Sequence, residues 1–98
     1  MILTTTSSIE GHKIIDYLGI ISGVSTNTKK AFSFKVEKNN NLMSDIINKA
    51  KEEAFQGLKE NAIKLKANAV VGIQIDMETH DGAYFFISVT GTAVKVQV

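Results

Sequence analysis

Apolar and polar positions alternate with different periods along the chain and divide it into segments. From Ile14 to Val24 the sequence reads Ile-Ile-Asp-Tyr-Leu-Gly-Ile-Ile-Ser-Gly-Val, with apolar residues on both parities. Ile14, Leu18, Ile20 and Val24 share one face of a strand; Ile15, Tyr17 and Ile21 share the other. A strand with one face in water would alternate, so this one is expected to be covered on both sides. Gly19 and Gly23 mark bends or close backbone approach. Met1 to Thr5 reads as a short strand before it, with Glu10-Gly11-His12 as the intervening turn.

Ser25 to Lys30 is a polar connection. Phe32, Phe34 and Val36 then alternate with Ser33, Lys35 and Glu37, the period of a short amphipathic strand. Asn39-Asn40-Asn41 ends it and offers N-caps to a helix. In that helix Met43, Ile46, Ile47, Ala50, Ala54, Leu58, Ala62 and Leu65 recur at threes and fours as one stripe. The small residues in the stripe predict close approach to a sheet. Asp45 with Lys49, and Glu60 with Lys64, are i,i+4 pairs in the favourable orientation. Asn68 is expected to take the left-handed conformation that ends the helix.

Val71, Ile73, Ile75 and Met77 alternate with Gln74, Asp76 and Glu78, predicting a strand over Val70 to Glu78. A last strand runs from about Tyr84 to Val98. Opposed residues of an antiparallel pair share a face. Pairing Met77 with Phe85, Ile75 with Ile87 and Ile73 with Val89 keeps apolar residues together, and a one-residue slip would invert every face. This register implies a three-residue hairpin with Gly82 left-handed and His80 in the turn. The apolar parity of the last strand changes from Phe85, Ile87 and Val89 to Val94, Val96 and Val98. Gly91 between them is the expected bulge or bend.

The predicted fold class is therefore α+β: a small, mainly antiparallel sheet with one long helix packed on one face. One helix covers one face only. The two-sided strand Ile14–Val24 and the row Val94–Val98 then need another cover, and a second subunit provides it. The competing cover is the segment Ser25–Lys38, with Phe32 and Phe34.

The chain has 98 residues, a single-domain length, and no cysteine, which removes disulfides and thiolate metal sites. A cytoplasmic location is the simplest expectation. The first residues lack the basic and apolar regions of a signal peptide, and no run is long enough to span a membrane. Eleven basic against ten acidic side chains argue against nucleic-acid binding. The nearest basic cluster, Lys29, Lys30, Lys35 and Lys38, is broken by Glu37 and reads as a solvated face.

Asp76, Glu78 and His80, followed by Asp81, form the leading candidate site. Carboxylate oxygens and imidazole at alternate positions of one strand could bind a divalent metal ion. The plain alternative is a solvated face followed by a polar turn. Gln74, Tyr84, Phe86 and Ser88 are expected on the same face, as lining for a small ligand or as subunit contact. His12, alone at a strand start, reads as a turn residue. No catalytic motif occurs: no phosphate loop, no His-Glu-x-x-His and no Gly-x-Ser-x-Gly.

Several stretches together resemble one family. Thr4-Thr5, Glu10-Gly11, Ile14, Tyr17, Gly19 and Gly23 resemble its N-terminal pattern. Ala69-Val70-Val71-Gly72-Ile73 resembles its central motif, and Ser88-Val89-Thr90-Gly91-Thr92-Ala93-Val94-Lys95 its C-terminal strand. The chain is thus similar to the YbjQ-like family, labelled "putative heavy-metal-binding". The resemblance implies a dodecin-like βαββ subunit with extra short strands at the subunit interface. It also implies a homo-oligomer, a pentameric ring sometimes stacked further. It brings no catalytic residues. Two departures stand out: only Ser25–Asn41 remains where family members carry a longer segment, and Lys66 stands where glycine is common.

Overall fold

The structure, a computed structural model, describes residues 1–26, 40–80 and 84–98, with side chains except at 40–43, 80 and 84. Its elements are β1 (Ile2–Leu3), β2 (Ile14–Thr26), α1 (Asn40–Lys64), β3 (Ala69–His80) and β4 (Tyr84–Val96). The sheet order is β1-β3-β4-β2; β1 pairs with β3 in parallel and the other pairs are antiparallel. The α+β class holds. Among the described residues no helix is long and apolar enough to cross a membrane. The amphipathic strand expected around Phe32–Val36, the competing cover that Phe32 and Phe34 of Ser25–Lys38 would supply, and Gly82 in its hairpin lie outside the described residues.

The helix lies across β2 and β4 and buries Ile46, Ala50, Ala54, Leu58 and Ala62 against Ile21, Ile87, Val89 and Ala93. Small side chains let the backbones nearly touch. A Cβ at Gly23 would be driven into the Ala54 carbonyl oxygen and would lie 2.6 Å from the Leu58 amide nitrogen. Two side-chain bonds fix the crossing: Ser25 Oγ donates to Glu53 Oε1 at 2.8 Å, and Asn61 Nδ2 donates to the Ser22 carbonyl at 2.8 Å. Asn40 and Asn41 lie inside the first turn of the helix rather than before it.

The left-handed residue after the helix is Lys66, with φ 66°, not Asn68. This is the position where the family pattern favours glycine, and a lysine there strains its Cβ against the backbone. The Lys66 carbonyl accepts a 3.3 Å bond from Lys95 Nζ. Asn68 instead extends the sheet. Its side chain donates to the Val96 carbonyl at 3.0 Å and accepts from the Val96 amide at 2.8 Å.

The expected common face of Val71 and Ile73 is broken. Between Val71 and Gln74 the register shifts, and Gly72 at φ 64° opens a bulge opposite Gly91. Val70 and Ile73 therefore both turn toward the helix side, while Val71 joins a second cluster on the opposite side. A Cβ at Gly91 would lie 2.6 Å from Val70 Cγ1 and 3.0 Å from Ile73 Cγ1. The bend predicted in β4 is thus a bulge in its neighbour, and β4 pairs regularly with β2 through Gly91. Val94 and Val96 are fully covered by Ile2, Ile9, Ile14, Ala69 and Val71. Val94 and Val96 therefore need no second subunit, while Val98 at the end of the row stays exposed.

In β2, register shifts follow Ile14 and Tyr17. They invert the faces between them and cancel beyond, so Ile14, Ile20 and Val24 share the face opposite α1 as expected, while Leu18 packs with the helix-side cluster and Tyr17, not expected there, joins Ile14's face. The β3–β4 hairpin pairs odd residues with odd, as expected, but two residues further on: Ile75 with Val89, Met77 with Ile87, Thr79 with Phe85. His80 is consequently in the strand opposite Tyr84, not in the turn. Ile75 and Met77 lie beyond the reach of the helix and are half exposed.

Candidate functional site

Pairing places Asp76 beside Ser88 and, across β4, Val24; Glu78 beside Phe86 and Thr26; and Gln74 beside Thr90 and Ser22. These rows form the face of the sheet opposite α1. They bring Gln74, Phe86 and Ser88 to the acidic pair, as the alternation implied. The backbone of Tyr84 is opposite His80, and the side chains of both lie outside the described residues.

The same face carries large apolar exposure from β2 and β4: Ile20 at 81%, Tyr17 at 68%, Val24 at 58% and Phe86 at 41%. The sequence put Ile20 and Val24 on one face but gave no hint that Val24 flanks the carboxylates. That neighbourhood follows from the long-range β2–β4 register.

Asp76 and Glu78 are both exposed. Two residues apart on one strand face, their backbones are separated by about 6–7 Å. Two carboxylates can offer a divalent ion two oxygen donors or more, and His80 follows on the same strand. Among the described residues, no three His, Cys, Asp or Glu side chains come together as a metal cluster.

His12 is placed elsewhere. Its Nδ1 lies 3.0 Å from the Gln97 carbonyl oxygen. A carbonyl only accepts, so Nδ1 carries the proton and donates. The Gln97 amide returns a 2.8 Å bond to the Lys13 carbonyl. His12 thus pins the end of β4 to the turn before β2. Eight residues of β4 separate Val96 at that end from Ser88 beside Asp76, a span of roughly 25 Å. His12 and the acidic pair cannot share an ion within one chain.

Two open hollows flank the N-terminal segment. One, of about 560 Å³, is lined by Ile9, Gly11, His12, Lys13, Gln97 and Val98. The other, of about 580 Å³, is lined by Ile2, Thr4, Thr6, Ser8, Ile9 and Glu10. In the second, Thr4 and Thr6 hydroxyls bond each other at 2.8 Å and Thr6 Oγ1 donates to the Ser8 carbonyl at 2.6 Å. These hydroxyls are engaged in holding the segment's own turn. Neither hollow touches the acidic face.

Comparison with known proteins gives two findings. The sequence model of the YbjQ family, described as "Putative heavy-metal-binding", matches residues 1–97. A solved structure of a protein of unknown function in the DUF74 family, from Pediococcus pentosaceus ATCC 25745, is similar with a TM-score of 0.61. The two chains are 19% identical, and the match covers 99% of this chain and 98% of that one. At that identity the likeness speaks for the fold.

Proposed function

The chain belongs to the YbjQ family, and from that premise we propose that it is a self-associating, non-catalytic cytoplasmic protein that binds a divalent metal ion or small ligand where copies meet. One observation carries this reading: the sheet face opposite α1 leaves Val24 and Phe86 exposed beside Asp76 and Glu78, with Ile20 and Tyr17 exposed further along the same face toward Val94. Fully burying one such side chain is worth about 1.5–3 kcal/mol. A monomer rarely leaves that much apolar surface contiguous, and another copy supplies the cover. The pentameric ring implied by the family resemblance is the assembly we expect. In a ring each carboxylate pair repeats around the axis, so donors too few in one chain become sufficient between chains. Asp76, Glu78 and His80 are the proposed ligands.

Native mass spectrometry with sedimentation tests the assembly, which should be a closed oligomer at micromolar concentration. Calorimetric titration with zinc, copper(II) and nickel tests the ligand. Asp76→Ala combined with Glu78→Ala should abolish the heat while leaving the oligomer intact. No heat from any of the three ions rejects the metal branch.

A second reading, a protein-interaction or scaffold module, is favoured by the apolar balance of the face, where four large apolar side chains outnumber two carboxylates. Copurification of one protein in fixed ratio, without a small molecule, would support it.

A further inference from the structure

The family description calls for a heavy metal, and the donor set of this chain can be tested against that demand. Ions such as copper(I) and mercury(II) are held by thiolates, with thioethers as weaker partners. The sequence contains no cysteine. Symmetry multiplies a donor without changing its kind, so an assembly of these chains adds no thiol.

Three methionines remain. Met1 and Met77 are half exposed. Met1 precedes Ile2, which pairs with Ala69 at the start of β3, and Met77 lies eight residues further along that strand. The two sulfurs are therefore roughly 25 Å apart. Met43 is on α1, its side chain outside the described residues. Of the two histidines, His12 is bound to Gln97 at the end of the sheet remote from Asp76. What the acidic face offers is oxygen: Asp76, Glu78, the Gln74 amide and the Ser88 hydroxyl, with His80 next along the strand.

We infer that the metal chemistry open to this chain is that of oxygen and imidazole rather than of sulfur, so that its family's heavy-metal description does not extend here to thiolate-seeking ions. The inference narrows the ligand proposed above and rests on that reading only for where an ion would sit. Hard or borderline divalent ions, of the manganese or zinc kind, suit carboxylate with imidazole.

The test is equilibrium dialysis of the full chain in two arms. One uses copper(I), buffered by a competing chelator, and mercury(II); the other uses manganese(II) and zinc(II). Metal per chain is read by elemental analysis after desalting, with the particle mass measured in parallel. The expected result is no copper(I) or mercury(II) retained above the level of a dialysis blank without protein. Stoichiometric retention of either ion by the unaltered chain overturns the inference. Uptake of manganese or zinc, lost in Asp76→Ala with Glu78→Ala, supports both the inference and the metal branch of the proposed function. Retention in neither arm supports the inference while removing that branch, so the two fail separately.

Discussion

The sheet face opposite α1 has two ends built from the same strands, and they meet opposite fates. At one end Ala69, Val71, Val94 and Val96 are buried beneath Ile2, Ile9 and Ile14. At the other, Val24 and Phe86 stand open beside Asp76 and Glu78, with Ile20 open between the two ends. The residue types are alike, so apolarity alone does not decide the outcome. The difference is cover. The N-terminal segment folds back only as far as Thr6, whose carbonyl accepts a 2.8 Å bond from the Gly72 amide. Beyond the Gly72 bulge no described residue lies over the face. The covered end is part of the monomer's stability; the open end has no cover among the described residues.

The helix side sets the upper bound for this comparison. Gly23→Ala would push a methyl group into the backbone of α1 and should cost about 3 kcal/mol, the upper range for overpacking. Urea denaturation checks this, and a loss below roughly 0.5 kcal/mol would mean that helix and strand are not in contact there.

At the covered end, Val94→Ala removes packing from the small second core and should cost about 2 kcal/mol. The same measurement applies. Loss of association without loss of stability would show instead that this end, too, faces a partner.

Lys66→Gly relieves a left-handed lysine and should raise stability by about 1 kcal/mol. A fall in the denaturation midpoint would show that the lysine side chain contributes more than its backbone costs.

The smallest effect on the fold is expected at the open end. Ile20→Ser with Val24→Ser should change the stability of the dissociated chain by less than about 0.5 kcal/mol, yet shift the particle to lower mass. A large loss of stability in the dissociated chain would mean that the residues are covered within one subunit.

Local patterns in the sequence carried much of this architecture. The stripe from Ile46 to Ala62 predicted the helix and its buried face, and its alanines predicted the close approach that Gly23 permits. The odd-with-odd parity of the β3–β4 hairpin was legible because a slip of one residue would expose every apolar side chain. A slip of two preserves parity, so the actual register was not legible, and His80 moved from turn to strand. Bulges were the other blind spot. Gly91 signalled an irregularity, but the extra residue is in β3 at Gly72, and parity cannot say which strand of a pair holds it. That ambiguity made Val94 and Val96 look uncovered when the N-terminal segment buries them. Asn68 looked like the helix stop because asparagine tolerates left-handed φ, whereas the chain strains Lys66 and uses Asn68 to bond Val96. Of the candidate site, Asp76 and Glu78 were readable from spacing, while their neighbours Val24 and Thr26 come from a strand fifty residues earlier.

The central claim is that a second copy covers the open end of this face. Sedimentation velocity at micromolar concentration tests it most directly. The account predicts one discrete species at a multiple of the 10.7 kDa chain mass, converted toward the single-chain mass by Ile20→Ser with Val24→Ser. A folded species at 10.7 kDa across the same concentrations would contradict it.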